Sequence, residues 1–152
     1  MFLSLILISL IIIFVILIFA YRNLFYAFFS LLPPLVGILS TFAVATYTMR
    51  GFNIMHLSAS VIILGVGVDY GIYVVGIFRK PHSDEERQNI FQSLLICALT
   101  TLAGFAVLSL SSNQAVFSLG STMFFGVVIS LLTSYFALPF LIELLNKKKI
   151  TK

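Results

Sequence analysis

Asp69 and Tyr70 close a run of small residues, Gly65-Val66-Gly67-Val68-Asp69-Tyr70-Gly71, within an apolar stretch from His56 to Tyr73. The chain has five acidic residues, and four of them (Asp84, Glu85, Glu86 and Glu143) lie at or near the end of an apolar run. Asp69 lies deep inside one. Placing an ionised carboxylate in the middle of a hydrocarbon layer costs about 2.5–3.5 kcal/mol on insertion scales. An acid kept at such depth is by default a functional group that binds a proton, an ion or a partner. Thr100 and Thr101 occupy the middle of the next apolar run. Their hydroxyls can bond back to their own helix or reach across to Asp69.

Little else could do chemistry. There is no nucleophile–base constellation, no cluster of metal-ligand types and no phosphate-binding loop, so neither an enzyme nor a metal or other cofactor is expected. His56 and His82 fall at opposite ends of the third apolar run and cannot share a site. His56 reads as a satisfied interfacial histidine. Cys97, the single cysteine, excludes an internal disulfide and reads as a small packing residue.

The elements that must position Asp69 are membrane-spanning helices. Of the 152 residues, 61% are hydrophobic and 9% charged, with a mean hydropathy of +1.15. Soluble domains have about 45–50% apolar and about 25% charged residues. The sequence reads as a single all-α membrane domain of five helices, spanning 1–20, 24–48, 55–78, 90–111 and 117–143. Each is close to the ~20 apolar residues that a bilayer crossing needs. Residues 1–20 lack the basic leader, short apolar core and cleavage site of a signal peptide, so they are read as a span.

The net charge of +4 comes from short loops and the tail, which suits anionic lipid headgroups and not nucleic acid. With five spans, Arg22, Arg79, Lys80, Arg87, Lys147, Lys148, Lys149 and Lys152 fall on one side and Arg50 on the other. The positive-inside rule then puts the N-terminus outside and the C-terminus in the cytoplasm.

On the third span, Gly65, Asp69, Ile72 and Gly76 share one helical face, while Gly67 and Gly71 lie nearly opposite. Small residues let membrane helices approach closely, so neighbours are expected on both faces. Pro33-Pro34 predicts a kink or break in the second span. Ser83 and Glu86 fit a capping box opening the fourth, and Glu143 with Lys147 fits an interfacial pair.

With these residues placed, the chain resembles one half of a transmembrane domain of the resistance–nodulation–division (RND) superfamily, closest to its MMPL-type exporter branch. The resembling stretches are FNIMHL (52–57), GVGVDYGIY (65–73), LTTLAGFAVLSLSS (99–112), FSLGSTMFFGVVISLL (117–132) and YRNLFYAFFSLLPPLVG (21–37). They match the second to sixth helices of a six-helix half. The sterol-sensing domain is a relative with the same architecture, and the Asp-Tyr pair favours the exporter branch.

The resemblance implies that Asp69 and Tyr70 form a proton-relay pair, helped by Thr100 and Thr101, with Gly65, Gly67, Gly71 and Gly76 as packing positions. It implies proton-driven export of lipids or other hydrophobic compounds across the inner (cytoplasmic) membrane, with membrane lipids and protons as partners. A full transporter of this kind pairs two such halves. The chain therefore reads as a piece of a longer exporter, a half that pairs with a second copy, or a remnant. A lipid-sensing bundle and a purely structural subunit are the competing readings.

Overall fold

A computed structural model of the chain describes residues 2–48, 54–79, 83–142 and 144. They form five helices: α1 (Phe2–Tyr21), α2 (Leu24–Thr48), α3 (Ile54–Arg79), α4 (Asp84–Leu108) and α5 (Gln114–Leu132), the last continuing through a π-helical turn at Thr133–Ala137. No strand occurs among the described residues, as the composition predicts. Four apolar segments are long enough to cross a membrane: Leu24–Ala43, Met55–Arg79, Asp84–Leu108 and Gln114–Ile142. In α1 the corresponding stretch, Ile6–Tyr21, is shorter. So four of the five expected spans qualify within the described residues. The turn at Arg50–Asn53, the linker residues Lys80–His82, the Glu143–Lys147 pair and the lysine tail lie outside them.

The helix starts follow from local side chains. Ser83 Oγ accepts the Glu86 N–H at 3.3 Å, and the Glu86 carboxylate accepts the Ser83 N–H at 3.0 Å. This is the predicted capping box, and it starts α4 at Asp84, ahead of the apolar run at 90. Asn113 Oδ1 accepts the Ala115 N–H at 3.0 Å and opens α5. Asn23 Oδ1 accepts the Phe25 N–H at 3.1 Å at the start of α2. Just before it, Arg22 has φ 51°, a left-handed conformation that costs a non-glycine residue about 1–2 kcal/mol.

The core is built by α2, α3 and α5, which make the most extensive contacts with one another. Glycines set their spacing. A Cβ on Gly67 would lie 2.7 Å from Pro34 Cβ, one on Gly71 would meet the Ser30 carbonyl oxygen, and one on Gly37 would meet Ser130 Oγ. On α5, a Cβ at Gly126 would strike Ile63 and come within 2.9 Å of Thr41 Cγ2. Such close approach lets dispersion and backbone contacts replace the hydrophobic drive that lipid removes.

Of the expected kink or break, the break is absent, because α2 runs through Pro33 and Pro34 as one helix. Proline has no N–H, so Pro34 leaves the Ser30 carbonyl without its i+4 donor. That carbonyl is the one facing Gly71 on α3.

The outer helices are less enclosed. α1 rests on α2 and α3, while α4 leans mainly on α5 and buries only Leu94 and Ala98. Cys97 is exposed on α4 instead of packed. Its neighbour Ala98 already occupies the contact with the core.

Candidate functional site

The third helix touches each of the other four, yet one of its faces is open. A Cβ added at Gly65 or at Gly76 would meet nothing within 4 Å. Between them, Ile72 is 38% exposed and the Asp69 side chain is exposed. Close neighbours thus meet α3 at Gly67 and Gly71, while Gly65 and Gly76 face open space. The reason is where α1 sits. It stands off this face and leaves a groove of about 520 Å³ between Ile13, Ile16 and Leu17 of α1 and Ile62, Gly65 and Ile72 of α3.

Among the described residues, Asp69 is the one ionisable residue lining that groove. Its carboxylate has no hydrogen bond or ion pair with any described residue. A charge on such apolar walls is costly unless water, a proton or a partner answers it.

Tyr70, one residue on, turns the other way. It is 2% exposed, and its hydroxyl is buried without a well-formed hydrogen bond. It lies beside Cys97 and Thr101 of α4. The two threonines follow the local of the two expected patterns: Thr100 Oγ1 and Thr101 Oγ1 both donate to the Cys97 carbonyl, at 2.8 and 2.9 Å. Thr100 is exposed and Thr101 half-buried. The fold thus brings Tyr70 to Thr101 and leaves Asp69 apart from both threonines.

Other polar groups around the site carry no signal in the sequence. Tyr21 Oη donates to the Ile72 carbonyl at 3.4 Å and accepts from Ser30 Oγ at 3.3 Å, joining α1, α2 and α3 one turn beyond Asp69. Ser130 and Ser134 on α5 have buried hydroxyls without partners. Ser134 lies in the π-helical turn, a feature common at functional positions in helices. Toward the other end of α3, His56 is 2% exposed and its Nδ1 lies 2.6 Å from Thr122 Oγ1. Thr122 spends its own proton on the Ser118 carbonyl at 2.6 Å, so the His56 Nδ1–H is the donor. The histidine is satisfied as expected, near the end of α3 and buried against α5. Among the described residues no group of side chains could hold a metal ion.

Apolar helices packed through glycines, with one carboxylate in a groove on the central helix, define a polytopic membrane protein of the helical-bundle class. The chain belongs to the MMPL family, whose model matches residues 2–152. The hopanoid transporter HpnN of Rhodopseudomonas palustris (strain TIE-1) is 28% identical over 120 residues, covering 73% of this chain and 14% of that protein. The chain thus spans about a seventh of the length of this relative. No solved structure matches it.

Proposed function

We propose that the chain is the membrane half-domain of a proton-motive-force-driven exporter of lipids or other hydrophobic compounds, and that Asp69 binds and releases the driving proton. The observation that carries this is the Asp69 groove. A lone carboxylate with no partner among the described residues stands on an apolar, glycine-flanked face of the most connected helix.

Protonation removes the charge and with it most of the cost of drying the groove. The groove is then free to close or to accept another helix. Deprotonation reverses this. One elementary charge crossing 100 mV supplies about 2.3 kcal/mol, and a full two-state switch takes about 5.5 kcal/mol, so more than one contribution is needed. Tyr70 is on the side of α3 that moves against α4, where it meets Thr101. The cargo class follows from the relative named a hopanoid transporter.

The same face supports a partner. A charge-bearing surface without side chains at Gly65 and Gly76 suits another helix better than lipid tails, and the second half of the transporter or a second copy of this chain would supply it. Arg22, Arg79 and Arg87 gather at one end of the helices, which supports a cytoplasmic location for that end.

The test is Asp69→Asn in the complete protein, reconstituted with an imposed proton gradient. Export is expected to fall at least tenfold with normal membrane insertion, and Asp69→Glu is expected to restore part of it. Undiminished proton-coupled export by the asparagine variant rejects the reading.

A further inference from the structure

Three arginines stand at the end of the bundle where α1 turns into α2, α3 ends and α4 begins, and none forms an ion pair with a described residue. Arg79, at the end of α3, sits 5.5 Å above the ring of Tyr21. Arg87, in the first turn of α4, sits 5.2 Å from the ring of Phe78. Ring faces attract these cations without using up their N–H groups. Arg22, next to Tyr21, is held at φ 51°, a backbone conformation in which glycine would be more comfortable. Backbone strain of this kind is held in place by the surrounding structure and clusters at ligand clamps and switch regions.

Beside Arg22 lies a surface groove of about 480 Å³, walled by Ile18, Phe19 and Leu24. Phe19 is 81% and Leu24 65% exposed. A cation at the mouth of an apolar groove, at the end of membrane helices, is complementary to an anionic amphiphile. The planar guanidinium fork matches a phosphate, and the groove matches the first carbons of an acyl chain. We infer that this elbow is a binding site for an anionic phospholipid, with the headgroup phosphate on Arg22 and the chain against Phe19 and Leu24. The site is independent of the Asp69 groove and does not depend on which side of the membrane this end faces.

The experiment is native mass spectrometry of the purified protein with phosphatidylglycerol or phosphatidylcholine of identical acyl chains. The wild type is expected to retain phosphatidylglycerol in preference. Arg22→Gly is expected to lower that retention about fivefold, equivalent to the ~1 kcal/mol that a basic residue contributes at an anionic surface. Its phosphatidylcholine adducts should not change, and its melting temperature should stay level or rise, because glycine accepts the left-handed backbone. Arg22→Asn, which also tolerates that conformation, serves if the glycine variant is poorly expressed. Glycerol phosphate at millimolar concentration is expected not to displace the lipid. Equal retention of the two lipids by the wild type, unchanged phosphatidylglycerol retention by the Arg22 variants, or displacement by glycerol phosphate each overturns the proposal.

Discussion

Asp69 and Tyr70 are consecutive residues on α3 whose side chains leave the helix on different sides, Asp69 into the groove against α1 and Tyr70 into the packed interior toward α4, where it is 2% exposed. One side chain can meet a proton or a partner arriving from outside the bundle. The other can sense how α3 sits against α4. A shift of α3 therefore changes the surroundings of both at once.

Tyr70→Phe separates these roles. The Tyr70 hydroxyl is buried beside Thr101 without a well-formed hydrogen bond, and an unsatisfied buried polar group costs about 1–3 kcal/mol. Removing it should leave the melting temperature in detergent unchanged or raise it. If the hydroxyl takes part in the proton step, export will fall although the fold is no weaker. A variant that is both more stable and fully active shows that Tyr70 only fills space.

The two glycine faces of α3 should respond oppositely to alanine. At Gly71 the new methyl group meets the Ser30 carbonyl, a backbone atom that cannot rotate away, and overpacking of this kind costs about 1–3 kcal/mol. At Gly65 there is open space, so alanine should gain up to about 1 kcal/mol of helix propensity. Thermal melts of Gly71→Ala and Gly65→Ala decide this; equal destabilisation by both would show that the groove is closed in the membrane.

Alternate sides of α4 can be read from Cys97 and Ala98. Cys97 is exposed and Ala98 is fully buried. Cys97→Leu should change stability by no more than about 0.5 kcal/mol, whereas Ala98→Leu should lose about 1–3 kcal/mol by overpacking. The prediction fails if the cysteine is the more sensitive of the two when both variants are melted side by side.

The link between α3 and α5 rests on a donor. Because Thr122 gives its proton to the Ser118 carbonyl, Thr122→Val removes the acceptor that the buried His56 Nδ1–H uses, at a cost of about 1–3 kcal/mol. Thr122→Ser keeps the acceptor and should stay within about 1 kcal/mol of the wild type by the same reasoning. Denaturation curves that place serine as low as valine would mean that packing of the threonine methyl, and not the hydrogen bond, matters.

Much of the molecule was legible in the amino-acid order. Apolar runs of bilayer length placed the helices, and the Ser83–Glu86 spacing placed the start of α4 to the residue. The isolation of Asp69 in an apolar run singled it out, and the quoted motifs led to the family. These features are local. Periodicity, caps and the cost of a charge in hydrocarbon act within one helix and need no knowledge of its neighbours.

What only the tertiary structure decided is which neighbour each face meets. A helical wheel puts Gly65 and Asp69 opposite Gly67 and Gly71, but it cannot say that α2 closes on one pair while α1 stands off the other. α1 is apolar all round, so its sequence carries no mark of the face that lines the groove. The unbroken passage of α2 through Pro33 and Pro34 was equally hidden, as was the meeting of the Ser30 carbonyl with Gly71. Close packing depends on atoms from separate helices fitting at ångström scale, and that complementarity exists only once the helices are assembled.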